Sequence, residues 1–160
     1  METVINRAIA LRKDGLYQES RSLLESLLKD RTFAAKAHLQ IAWSYDNQGK
    51  EQAAIRHYKL ALLGPLSASE CFDCLFGLAS TYRSLGAYAE ALLYFERVIN
   101  EYPESIEAQP FYAMCLYNVG RHKEAISLLL ELLVSTTNSE SIQEYQAAIL
   151  LYAKDLDKIW

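Results

Sequence analysis

The apolar positions of this chain recur at steps of three and four residues, in blocks punctuated by glycine. From Ala79 to Pro103 it reads A-S-T-Y-R-S-L-G-A-Y-A-E-A-L-L-Y-F-E-R-V-I-N-E-Y-P, which predicts two amphipathic helices joined at Gly86. Ala79, Tyr82, Ala91, Phe95 and Val98 stand where two close-packed helices need small or apolar residues. The pattern repeats. Gly15, Gly49, Gly86 and Gly120 are spaced 34, 37 and 34 residues apart. Ala8, Ala42, Ala79 and Ala113 precede these glycines by seven residues, and Ser20, Ala54, Ala91 and Ala125 follow them by five. Leu11, Tyr45, Tyr82 and Leu116 form a third column, and Leu24, Tyr58, Phe95 and Leu129 a fourth. Periods near 34 imply stacked helix pairs, because one pair cannot bury its apolar face alone. Small columns predict close helix crossings, large ones fill the space beside them, and glycine at each turn predicts a positive φ.

The connections differ from one block to the next. Three extra residues around Gly64-Pro65-Leu66-Ser67-Ala68-Ser69 lengthen one link, where Ser67 and Glu70 form a capping box. Pro110 fits only if its helix starts late, near Ile106, since proline is tolerated in a first turn. After Thr137-Asn138-Ser139 a last helix is expected, with Ser141 and Glu144 as a second capping box. Ile142, Tyr145, Ile149, Tyr152, Leu156 and Ile159 make its apolar stripe, predicted to cap the fourth pair. Leu150 and Leu151 lie off that stripe, implying either a wide buried face or a second contact surface.

With its small–aromatic–Gly–Ala–aromatic–small–Pro order, the chain resembles the tetratricopeptide repeat family over residues 1 to about 136. The third unit matches best, down to Tyr88, Glu90 and Pro103. Y-D-N-Q-G (Tyr45–Gly49), S-T-Y-R-S-L-G (Ser80–Gly86), N-V-G-R-H-K-E-A (Asn118–Ala125) and Y-A-K-D-L-D (Tyr152–Asp157) are similar to its short, stand-alone bacterial type, tetratricopeptide repeat group 5. The first unit departs most, with Leu11, Ser20 and Leu27. The expected fold is all-α: a right-handed α-α superhelix of about four helix pairs plus a C-terminal capping helix. It is expected as a single domain over 1–160, with repeats at about 1–33, 35–66, 70–104 and 105–137 and the capping helix over 139–159.

The resemblance implies a concave groove lined by the first helix of each repeat. Carried over, the groove positions are Ile5, Ile9, Arg12 and Lys13 in the first repeat, and Lys36, Leu39, Trp43, Asp46 and Asn47 in the second. The third supplies Asp73, Phe76, Ser80, Arg83 and Ser84, and the fourth Glu107, Met114, Tyr117 and Asn118. Ile5, Ile9, Leu39, Trp43, Phe76, Met114 and Tyr117 make this face apolar for a surface, a mark of interfaces. The lysine–asparagine–arginine clamp by which related repeats hold a C-terminal carboxylate is not supported, since Ile5, Ile9, Phe76 and Ser80 occupy its positions. An apolar or aromatic segment fits better, gripped at its acidic or backbone groups by Arg12, Lys13 and Arg83, with Asp46 and Asn47 as further orienting groups.

Composition narrows the alternatives. A chain of 160 residues, 51% of them hydrophobic, has enough apolar side chain for a sizeable core. Its net charge of −4 argues against nucleic acid as a partner. Residues 1–60 nevertheless carry ten Lys/Arg against seven Asp/Glu, and residues 61–160 six against thirteen. The N-terminus lacks a basic-then-apolar leader and the longest greasy run, Ile126–Val134, is too short to span a bilayer, so a soluble cytoplasmic protein with no membrane partner is expected. Cys71-Phe72-Asp73-Cys74 is a single C-x-x-C; zinc needs four ligands, and a redox pair normally accompanies a βαβ pattern, so both cysteines and Cys115 read as packing thiols. With no phosphate loop and no nucleophile motif, no catalytic residue, metal or cofactor is expected. The expected function is capture of a protein or peptide segment in the groove. The alternative is a homodimer joined through the groove or the last helix.

Overall fold

Each of the four repeated glycines adopts a positive φ, between 65° and 85°, and turns one helix back along the next. The computed structural model describes residues 1–160. The helices are α1 (Glu2–Lys13), α2 (Tyr17–Glu25), α3 (Ala34–Asp46), α4 (Glu51–Ala61), α5 (Ala68–Ser84), α6 (Tyr88–Glu101), α7 (Gln109–Asn118), α8 (His122–Thr136), α9 (Glu140–Gln143) and α10 (Gln146–Ala153). The chain forms two compact units, Met1–Tyr94 and Phe95–Trp160, dividing within α6.

In the first unit, α1 packs on α2 and α3 on α4, while α2 leans on α3 and α4 on α5. The first helices also touch in sequence, α1 with α3 and α3 with α5, forming one continuous layer. The small columns are the reason for this closeness: Ala8, Ala42, Ala54, Ala79 and Ala91 are all fully buried. In the first pair the column holds Ser20, whose buried hydroxyl donates to the Ala8 carbonyl at 2.7 Å. A polar atom therefore sits at a close crossing with its hydrogen bond satisfied. Arg21, also buried, donates to Ser44 Oγ and Gln48 Oε1, both at 2.8 Å, and lies 4.3 Å over the Tyr45 ring. It ties α2 to α3. The Ser67–Glu70 capping box opens α5 as the sequence predicts.

In the second unit α7 packs on α8 and α8 on α10. A 3-10 turn over Ile106–Ala108 leads into α7 with Pro110 in its first turn, so the late start predicted from the proline is observed. The C-terminal helix departs from expectation. It is two short helices, broken at Glu144–Tyr145, and it ends at Ala153 instead of running to residue 159. Ser139 is its N-cap, with no side-chain capping bond, so the box at Ser141 and Glu144 does not form. The register differs as well: Ala153 is the buried residue, its carbonyl accepting from Ser127 Oγ at 2.6 Å, while Tyr145, Tyr152, Leu156 and Ile159 are exposed. Docking on α8 is set by that small residue and its hydrogen bond, not by the aromatic stripe. Leu129, of the fourth column, is likewise exposed (43%).

Between α3 and α4, His38 and His57 face each other with Nδ1 atoms 2.9 Å apart. One nitrogen must donate and the other accept, so at least one of the two rings is neutral while the pair is intact. Burial lowers the His57 pKa to about 4, with the His38, Arg56 and Arg21 charges acting in the same direction; burial also lowers that of His38. The unfolded chain then takes up protons that the folded one refuses, so this stability is complete above about pH 6.5 and is lost as pH falls toward 4. After screening of the half-exposed rings, the loss is about 1 kcal/mol, or about 2–4 °C in Tm. Thermal melts at pH 7.0 and 5.0, where few carboxylates titrate, are expected to show this drop in the wild type and a smaller one in His38→Gln/His57→Gln.

Candidate functional site

The third and fourth columns hold tyrosines in the second helix pair, and a buried tyrosine brings a hydroxyl that needs a partner. Tyr58, on α4, is buried, and its Oη donates to Asp46 Oδ2 at 2.5 Å. Thr81 Oγ1, from α5, lies 2.9 Å from the same oxygen and 2.8 Å from the Gly77 carbonyl, sharing one proton between them. Burial pushes the Asp46 carboxyl above its usual range, against the opposing pull of the Tyr58 and Thr81 hydrogen bonds. Burial and the Asp46 charge push the Tyr58 phenol well above its own range, so it remains a donor.

This cluster is the floor of a cleft of about 540 Å³ in the first unit. Trp43, Asp46 and Asn47 line it from α3 and the turn after it, Glu51 and Tyr58 from α4, and Asp73, Phe76, Gly77, Ser80, Thr81 and Ser84 from α5. Phe76 stacks on Phe72 with centroids 5.8 Å apart and planes 8° apart. From α1, Arg12 sets its guanidinium 5.3 Å from the Trp43 ring centroid and donates to Asn47 Oδ1 at 3.1 Å. The cleft is open because α5 carries glycine at 77: a Cβ there would lie 2.6 Å from Tyr58 Oη.

Of the groove residues expected from sequence, Trp43, Asp46, Asn47, Asp73, Phe76, Ser80 and Ser84 converge here, with Arg12 at the rim. Ile5 (4% exposed) and Leu39 (1%) do not; they are core, because α1, α3 and α5 lie side by side and cover that flank of each helix. Ile9 is half-buried against the cluster around Ile5 and Leu24, Lys13 is exposed, and Arg83 is half-buried near the end of α5. Met114, Tyr117 and Asn118 belong to the second unit, where Tyr117 is exposed (62%) and packs on the His122 ring at 4.8 Å. Glu51, Tyr58, Gly77 and Thr81 are the lining residues that groove positions alone do not include. Two sequence features mark Gly77 and Tyr58, a lone glycine inside a long helix and a phenol in a column otherwise of leucine and phenylalanine; neither marks Glu51 or Thr81. Of the C-x-x-C pair, Cys74 is buried, its thiol pushed up to about 12 by burial, and donates to the Tyr58 carbonyl at 3.2 Å. It is a packing residue of the same floor.

Comparison with known proteins places this geometry in context. A family model described as Tetratrico peptide repeat matches residues 35–156. Among solved structures, the chain is similar to YrrB, described as a TPR protein with an unusual peptide-binding site, at 21% identity and TM-score 0.72, covering 97% of this chain and 77% of that one. It is similar to MamA at 20% identity and TM-score 0.70, covering 92% and 75%. It also resembles a Podosopora anserina putative kinesin light chain with nearly identical TPR-like repeats, at 19% identity and TM-score 0.70, covering 98% and 87%. At these identities the likeness concerns the fold, an all-α array of the α-α superhelical kind. A sequence comparison with curated proteins found no match. No helix is long and apolar enough to cross a membrane.

Gly77 offers a direct test of the floor. Gly→Ala inside a helix ordinarily stabilises by about 1 kcal/mol. Gly77→Ala is expected instead to destabilise by about 1–3 kcal/mol, because the Tyr58 ring must move. In a Tyr58→Leu background the same change is expected to be near neutral, as read by the coupling in thermal melts followed by circular dichroism.

Proposed function

Because the chain belongs to the tetratricopeptide repeat family, a family of protein–protein interaction modules, we propose that it binds an extended peptide or helical segment of another protein in the groove of its first unit. One observation carries this reading: the cleft between α3 and α5 sets two half-buried aromatic side chains, Trp43 and Phe76, beside a floor of hydrogen-bonded polar groups. Aromatic anchors in a partly desolvated pocket with polar orienting groups are the usual energetic centre of an interface. The YrrB structure, with its peptide-binding site, supports the assignment by likeness of fold. The work done is complementarity, not turnover, and the setting proposed is cytoplasmic, as an adaptor, scaffold or co-chaperone-like factor of bacterial type. The single domain of about four repeats is part of the same reading.

The test is a random dodecapeptide library displayed on phage and panned against the immobilised full chain. Enriched peptides are expected to bind wild type at least tenfold more tightly than Trp43→Ala, with helical circular dichroism retained in the variant. Enriched peptides indifferent to Trp43→Ala and Phe76→Ala would move binding away from this cleft.

A second reading has its own observation. On α8, Ile126, Leu129 and Leu133 are each more than 40% exposed and stand at steps of three and four on one helix face. Such a row fits self-association through the second unit. It predicts that light scattering gives about twice the chain mass of 18.2 kDa, and that Leu129→Glu returns the value to one chain.

A further inference from the structure

The exposed row on α8 runs between two ends that differ in charge. α10 docks on α8 along Lys123, Ser127 and Glu131, where Ser127 Oγ donates to the Ala153 carbonyl. Ile126, Leu129 and Leu133 stand on another side of the helix, each more than 40% exposed. Gly120 turns α7 back along α8, so Glu104 and Glu107, which precede α7, stand at the Thr136 end. Glu140 and Glu144 follow that same end, in α9 and at its C-cap. All four carboxylates are exposed and none has an ion pair. Of the five cations in the second unit, Arg97 is paired with Glu101. The other four, Arg121, Lys123, Lys154 and Lys158, gather at the Gly120 end, where α10 finishes against Ser127. There Arg121 is matched by Glu96 and Glu124 and Lys123 by Asp157, and Asp155 adds another carboxylate, so that end is close to neutral. Lys154 is exposed with no ion pair, and Lys158 lies over the Trp160 ring. The α8 dipole adds partial negative charge at the acidic end.

Resting on the self-association reading above, we infer that a second copy of this chain covers the row, with the two α8 helices antiparallel about a two-fold axis near Leu129. That axis sets Ile126 beside the partner's Leu133 and Leu129 beside its own counterpart, so the apolar row closes on itself. The axis lies in the plane of contact and keeps α10 of both copies on one side. Glu140 and Glu144 then meet the partner's Lys154 and Lys158. A parallel approach instead presses one acidic end against the other, which like charge opposes.

The two charge sets are tested apart and then mixed. Light scattering over a range of concentrations is expected to give two chains for the wild type. Glu140→Lys/Glu144→Lys and Lys154→Glu/Lys158→Glu are each expected to weaken the dimer about tenfold or more, since two-fold symmetry repeats every rim pair. An equimolar mixture of the two variants is expected to recover wild-type affinity to within about threefold, as a heterodimer in which each charge meets its opposite. Circular dichroism checks that the variants keep the wild-type helix. Should either lose it, Glu144→Lys mixed with Lys154→Glu decides the matter on folded chains. A wild-type dimer that Leu129→Glu dissociates, with charge variants that dimerise like wild type or a mixture that stays weak, overturns the antiparallel arrangement and leaves self-association standing. A wild-type monomer at every concentration, or a dimer indifferent to Leu129→Glu, overturns both.

Discussion

The Tyr58 hydroxyl is the constraint on which the first unit turns. A phenol in the packing column of α4 cannot be buried without a partner, and Asp46 at the end of α3 supplies it at 2.5 Å. That carboxylate is in turn held by Thr81 from α5, so one buried hydrogen-bond cluster ties three helices. A charge-assisted bond of this kind is worth about 1.5–3 kcal/mol, and leaving either partner unmatched costs a comparable amount. The same arrangement demands a glycine at 77, because the Tyr58 ring fills the space where any side chain would begin. The cleft exists because these requirements coincide.

Around that cluster, the small columns do the work of bringing helices close. Alanine at 42 and 54, and at 79 and 91, removes the side-chain bulk that would hold each pair apart. Where serine replaces alanine at 20, the cost of a buried hydroxyl is offset by its bond to the Ala8 carbonyl. The departures of the first repeat from the common pattern are therefore compensated locally. The His38–His57 pair is a different case: the two rings between α3 and α4 can share a hydrogen bond only while at least one of them is neutral.

The groove could be read from sequence only in part. The family resemblance put Ile5, Leu39, Trp43 and Phe76 on groove positions, yet Ile5 and Leu39 are buried and the aromatic pair is not. The pattern of a single helix does not separate the face turned to the groove from the flank turned to the next first helix. That distinction depends on how α1, α3 and α5 lie side by side. Similarly, the cleft is lined by carboxylates from three helices, 27 residues apart in the chain between Asp46 and Asp73, and no local motif announces their meeting. The C-terminal stripe misled for a related reason. Tyr145 and Tyr152 keep helical spacing, but Ala153 and the Ser127 hydroxyl decide which side meets α8.

What the amino-acid order determined by itself was everything that repeats: the helix pairs, their glycine turns, the alanine crossings, the capping box at Ser67 and the late start enforced by Pro110. Those features are legible because each rests on local geometry, a period of 3.6 or a backbone preference that holds in any context. The tertiary structure alone decided which apolar residues face water, where the chain stops being helical at its C-terminus, and which distant carboxylates share one cleft. These depend on contacts between elements far apart in sequence, where packing of neighbours overrides the preference of any single helix.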